Sequence, residues 1–355
     1  MTLEYEGTRY RGWQEQTNAR TVAGELRRAL ERVAGQVSNL GGSGRTDAGV
    51  HAIHQVAHVS LARAMPSDAL VAAINDLLPP DIHLISAVPV SPRFNARHDA
   101  LGRSYLYQIC RRRTAFGKRF VWWVRAPLDI ALMQEAARLV VGRHDFAAFC
   151  EKPGDQTSTL VVVERAEIVI DGALVLVRLV ASHFLWRMVR RLVGTLVEVG
   201  AGRLDIGSFA GLLEGAAAAA PGEEGPAKWT APPSGLFLER VLYSGDPPLR
   251  PLAPLFPVPG EADVTSRGAA DRAPRGVSHE ARRGPRGGAE TGAVRGSNRG
   301  ANRAGSEGAR RKFETDATPG KSGAGSDAAR HDRGDRRPDR GSTSPGEPGR
   351  DRRRR

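Results

Sequence analysis

A break in composition near Pro254 sets the outer limit on what this chain can fold into. From Pro251 to Arg355 the only aromatic residues are Phe256 and Phe313, while the same stretch holds 23 of the chain's 52 Lys and Arg and 14 of its 39 Asp and Glu. A segment so poor in large apolar side chains cannot offset the entropy of ordering its backbone, and its Gly, Pro, Ser and Arg content matches a disordered tail. Residues 1–250 are therefore read as the folded part and 251–355 as a disordered, basic Gly/Arg-rich tail, with folding expected to end near Pro254. Of the net charge of +13, the tail carries +9 and the first 250 residues +4. A basic surplus points to a polyanionic partner, but most of it lies in the tail, whose repeats are expected to raise non-specific RNA affinity.

Cys110 and Cys150 are the only cysteines and form no short-spaced pair of the zinc or redox kind, so both are expected as buried free thiols. Met1 to Trp13 carries Glu4, Glu6, Arg9 and Arg11 where a secretory signal would be apolar. No run approaches the ~18 apolar residues of a membrane span. A cytoplasmic protein with no membrane partner is expected.

Periodicity places helices over residues 21–34, with Thr21 as N-cap and Gly35 as stop, over 67–78, over 129–141 with Asp129 as cap, and over 184–199. Strand-like runs cover 55–61, 81–90, 104–110, 160–170, 173–180 and 236–243, and Asp171-Gly172 favours a tight hairpin turn. Helices mixed with hairpin-joined strands in each half suggest an α+β architecture of two similar subdomains, 1–100 and 101–250, around a largely antiparallel sheet. A cleft between the halves is the expected substrate site.

The stretch richest in chemistry is Gly41-Gly42-Ser43-Gly44-Arg45-Thr46-Asp47-Ala48-Gly49-Val50-His51. Glycines around one acid let the backbone approach a ligand or take positive φ, which presents Asp47 on a loop. Arg45, two positions earlier, can keep the carboxylate ionised, hold a phosphate or fill the space of a displaced base. Taken alone, these residues also fit an Asp turn with a solvated arginine.

Gly44 to Ala52 resembles the active-site motif of the TruA family of tRNA pseudouridine synthases, and Tyr10-Arg11-Gly12-Trp13-Gln14-Glu15-Gln16 resembles its N-terminal signature. Phe94-Asn95-Ala96-Arg97, Arg103-Ser104-Tyr105-Leu106-Tyr107, His144-Asp145-Phe146 and Met188-Val189-Arg190 come after them in the same order, so the resemblance spans about residues 1 to 245. It implies the pseudouridine synthase fold: two related α/β subdomains meeting in a basic cleft, usually in a homodimer. It also implies an isomerase that converts uridine to pseudouridine at positions 38, 39 and 40 of the tRNA anticodon arm, without metal or cofactor. By the same resemblance Asp47 is the catalytic residue, Arg45 takes part in flipping the target base, Tyr105 stacks on the uracil and Arg190 is a basic position near the cleft. Tyr105 also fits a strand residue packed in the core.

Other residues invite different chemistry. His51, His54 and His58 suggest zinc, but strand alternation turns successive side chains to opposite faces and no cysteine lies near. Trp122-Trp123 could stack bases through at most one ring, and core or dimer packing suits the pair better. Arg111, Arg112, Arg113, Lys118 and Arg119 form a basic patch that fits either a solvated loop or phosphate contacts. A non-catalytic RNA-binding protein would not need Asp47, and a hydrolase would need a second acid or a metal set. Two departures from the family pattern stand out. The first strand begins late, at Met1-Thr2-Leu3-Glu4-Tyr5, and Cys150 to Leu160 differs from the stretch that relatives carry after the Asp-Phe motif.

Overall fold

Among the described residues ten strands form one sheet, and the last of them in sequence sits in the middle. The computed structural model describes residues 1–214 and 225–258. Beyond Val258 the expected tail lies outside the described residues. The strands are β1 (Thr2–Tyr5), β2 (Val37–Gly42), β3 (His51–Leu61), β4 (Ile82–Ser86), β5 (Gly102–Cys110), β6 (Trp122–Trp123), β7 (Gly142–Asp145), β8 (Leu160–Asp171), β9 (Leu174–Ala181) and β10 (Leu236–Leu242). The main path runs β4-β1-β3-β10-β5-β9-β8-β7, with β2 on β3 and β6 on β5. All pairings are antiparallel except β10 with β3 and β6 with β5. The α+β architecture expected from the sequence is the one that forms.

Five helices, α1 (Val22–Ala34), α2 (Ser67–Asn75), α3 (Ile130–Val140), α4 (Met188–Gly200) and α5 (Ile206–Leu213), accompany the strands among the described residues. The Thr21 hydroxyl accepts the Gly24 N–H at the start of α1, and Gly35 ends it at φ 77°. Asp129 caps α3 through Leu132, and Asp205 caps α5 through Ser208. Leu26 and Leu30 of α1, Met133 of α3 and Leu192 and Leu196 of α4 join Leu3, Tyr107, Val177 and Leu179 in one core cluster. Asp171-Gly172 makes the expected hairpin turn, with Gly172 at φ 52°.

Several boundaries differ from the sequence reading for physical reasons. Helix α4 begins at Met188 and not at Phe184, because Arg187 takes a left-handed conformation with φ 61° that no helix can include. Gly41 and Gly42 end strand β2 instead of opening a loop. Strands β1, β6 and β7 and helix α5 are too short for periodicity to reveal. Residues 251–258, placed in the tail by composition, pack on the sheet: Leu252, Leu255 and Val258 cover Leu106, Cys110, Leu174 and Leu176. Gln108, fully buried, fixes them by accepting the Leu255 and Phe256 N–H groups at 2.7 and 3.2 Å. Strand β5 is thus buried along its whole length, on both faces. Both cysteines are free and buried.

Candidate functional site

The glycine-rich turn is built into the sheet before it carries any chemistry. The Ser43 N–H bonds the Val56 carbonyl, the Gly44 carbonyl accepts from Gln55 Nε2 at 2.8 Å, and the Val50 N–H closes the turn on the Asp47 carbonyl. Gly12, at φ 93°, passes so close that a β-carbon there would lie 2.4 Å from the Thr46 carbonyl oxygen, while Trp13 N–H donates to that same oxygen. The segment Tyr10 to Gln16 is therefore the outer wall of the turn, which is the physical reason for its Gly-Trp pair. Below, Thr46 is buried and its hydroxyl shares a 2.9 Å hydrogen bond with Tyr5. Burial pushes the Tyr5 phenol up to about 12.

Asp47 is left part-exposed at the top of this turn, its side chain 22% accessible. Its Oδ2 lies 3.1 Å from Nη1 of Arg190, on the first turn of α4 and 143 residues away in sequence. Arg190 is itself aimed from below: its Nε donates to the Ala231 carbonyl at 2.8 Å, and its own carbonyl accepts the Ala231 N–H at 3.0 Å. Residues 229–235 thus form a strap. Pro232 accepts from the Tyr107 hydroxyl at 2.7 Å, and Pro233 would touch a β-carbon on Gly49, at φ 81°, at 2.9 Å. The strap holds α4, strand β5 and the far side of the Asp47 turn in fixed relation.

Tyr105 lies beneath the turn, 7% exposed, with its hydroxyl 3.7 Å from where a β-carbon on Gly44 would be. Phe184 meets its ring edge-on at 5.1 Å. Burial first, then the charges of Tyr5 and Asp47, push its phenol upward. It is a packed residue and also a neighbour of the acid. Arg45, by contrast, is exposed and points along a polar groove of about 190 Å³ that it shares with Trp13, His58, Asn95, Arg97 and His98. The structure therefore brings Asp47, Arg190 and Tyr105 together and puts Arg45 at the adjoining groove.

One supporting residue carries no signal in the sequence beyond its place in a motif. Arg103 is 7% exposed and donates to the carbonyls of Ser43, Arg97 and Ser182 at 3.0, 2.6 and 2.8 Å. Among the described residues none of its partners is a carboxylate, and burial lowers its pKa. It ties the Asp47 turn, the Phe94–Arg97 segment and the lead into α4 to one buried cation. Sequence reasoning misses the strap altogether, although Ala231-Pro232-Pro233-Ser234-Gly235 carries turn chemistry that marks it as more than a connection.

The histidines have other work. His51 accepts the Gly7 N–H at Nδ1, so Nε2 carries the proton to the Arg119 carbonyl at 2.8 Å, and His58 Nδ1 accepts the Ala96 N–H. Trp122 packs edge-on to Tyr107, while Trp123 faces outward beside Arg113. No helix among the described residues is long and apolar enough to cross a membrane.

Comparison with known proteins identifies the family. A family model described as tRNA pseudouridine synthase matches residues 1–99 and 136–244. The tRNA pseudouridine synthase A of Myxococcus xanthus is 42% identical over 255 residues, covering 70% of this chain and 93% of that protein. The proteins of the same name from Pelobacter propionicus and Thermoanaerobacter sp. strain X514 are 40% and 36% identical over 245 residues, each covering 68% of this chain and 98% of the relative. The family model spans the Asp47 turn and α4, and with relatives 36–42% identical over most of their length the chain belongs to the tRNA pseudouridine synthase family.

Proposed function

We propose that this chain isomerises uridine to pseudouridine in the anticodon arm of tRNA, at positions 38, 39 and 40, with the Asp47 carboxylate as the group that acts on the nucleotide. The observation that carries the reading is the placement of Asp47: a part-exposed acid on a rigid turn, paired with Arg190 at 3.1 Å and bordered by a basic groove. The reaction breaks the bond from ribose C1′ to N1 of uracil, turns the base and rejoins it at C5, whose hydrogen leaves as a proton while N1 gains one. The atoms balance without any redox change. The carboxylate serves either by adding to the nucleotide or by removing a ribose proton that lets the base depart.

Arg190 keeps the acid oriented, Tyr105 lies under the uracil, and Arg45 fills the gap left when the nucleotide leaves its stack, a step that costs a few kcal/mol. The two halves on either side of β10 are the two subdomains. The chain works as a homodimer, for which sedimentation at working concentration is the check.

The test is to incubate the protein with unmodified tRNA transcripts and map pseudouridine chemically, comparing wild type with Asp47→Asn. Modification in the anticodon arm by the wild type and none by the variant, with tRNA binding retained, is the expected result. Equal activity in both removes Asp47 from the reaction.

A further inference from the structure

Trp186 stands 43% exposed on the loop that leads into α4. Two cations face its indole: Lys152 Nζ at 5.8 Å and Arg187 Cζ at 5.6 Å from the ring centre. Both come from left-handed backbone, at φ 52° and 61°, and they are two of the three described residues other than glycine with positive φ. That conformation is costly for any residue with a β-carbon, and such costs gather where function demands a particular side-chain direction. The two loops are joined at this point, since the Glu151 N–H donates to the Trp186 carbonyl at 2.9 Å. Glu151 pairs with Arg187 and Arg191, so the cluster at Trp186 holds one carboxylate against three cations, Lys152 being the one at the ring alone.

The position of this cluster is as informative as its charge. Phe184, two residues before, touches the Tyr105 ring, and Arg190, one helical turn after, touches Asp47. Trp186 is therefore held between two residues that reach the site, with its ring on the outside. An exposed indole offers a face that stacks on any base, and surplus Lys and Arg beside it suit a phosphate. A ligand with both parts is a nucleotide.

We propose that Trp186, with Lys152 and Arg187, is a stacking platform for a tRNA nucleotide neighbouring the one delivered to Asp47, an inference that rests on the tRNA reading above. The base lies on the indole and the phosphate displaces the cations from the ring toward itself.

The test measures binding of a labelled, unmodified tRNA transcript to the full chain by fluorescence anisotropy. Trp186→Ala is expected to weaken binding about fivefold or more, the scale of losing one base–aromatic stack. Trp186→Phe keeps most of the affinity but loses the part of the indole emission that the wild type sheds on binding RNA. Lys152→Gln and Arg187→Gln each lower the slope of log affinity against log salt by about 0.7. Should the alanine variant fail to fold, the phenylalanine and glutamine variants decide. Affinity within twofold of wild type for Trp186→Ala, or unchanged quenching in Trp186→Phe, overturns the proposal. A wild type that binds with this Trp186 dependence but makes no pseudouridine overturns the activity reading and leaves the platform standing.

Discussion

A β-carbon on Gly194 would lie 1.6 Å from the carbonyl oxygen of Trp229, so the strap runs in the groove that this glycine leaves on α4. The obstacle is backbone and cannot swing aside. Gly194→Ala is expected to push residues 229–231 off the helix, costing about 1–3 kcal/mol of stability. Because Ala231 holds Arg190 at both its N–H and its carbonyl, modification of tRNA should fall with it. Denaturant unfolding and pseudouridine mapping on one preparation check both effects. A variant of unchanged stability would mean that the close approach is not maintained in solution.

The Arg190 guanidinium makes one contact to the strap and one to the acid, a division that lysine cannot reproduce with a single ammonium. Arg190→Lys should therefore lower the rate of pseudouridine formation at saturating tRNA about tenfold, and Arg190→Gln by more. Single-turnover rates read the difference. Comparable rates for lysine and arginine would show that charge alone matters there.

Acid should destabilise the protein through imidazoles held below their ordinary pKa. Burial lowers the pKa of His51 below the ordinary 6.5, and does the same for His54, His58 and His183. Below pH 6.5 the unfolded chain binds protons that the folded chain refuses, so stability complete above that pH is lost as pH falls. His51→Gln should flatten the decline by up to about 1.4 kcal/mol per pH unit. At the alkaline end the sign reverses: with Tyr5 raised to about 12, stability present below pH 10 is lost as pH climbs toward 12. Thermal midpoints across the pH range test both limbs.

On the sheet, the Arg178 guanidinium is 3% exposed and forms two hydrogen bonds to Glu239, at 2.6 and 2.8 Å, while Glu167 approaches from a more open side at 3.3 Å. Glu239→Gln leaves the buried guanidinium only the more exposed, longer contact to Glu167 and should cost about 3–5 kcal/mol. Glu167→Gln, at a carboxylate 42% exposed, should cost about 1 kcal/mol or less. Urea midpoints separate the two.

The legible part of the sequence is local. The Gly-rich turn announces a presented acid, and Thr21, Gly35, Asp129 and Asp171-Gly172 announce where elements start and turn, because capping and turn chemistry act within a few residues. Arg190 can be placed near the cleft only through family resemblance, since its contact with Asp47 spans 143 residues. The start of α4 is hidden because Phe184, Leu185 and Met188 continue the apolar pattern through a residue whose φ breaks the helix. Residues 251–258 resemble the tail because two leucines and a valine look too sparse to fold, yet β5 supplies the floor they need.

Strand β10 pairs with β3 on one side and β5 on the other, although residues 111–235 lie between it and β5 along the chain. During synthesis both flanking strands must wait with bare backbone edges until residues 236–242 leave the ribosome. A nascent chain at that stage is open to adopting the closing strand of a neighbouring copy, so high expression and slow translation past residue 200 invite domain exchange in this protein.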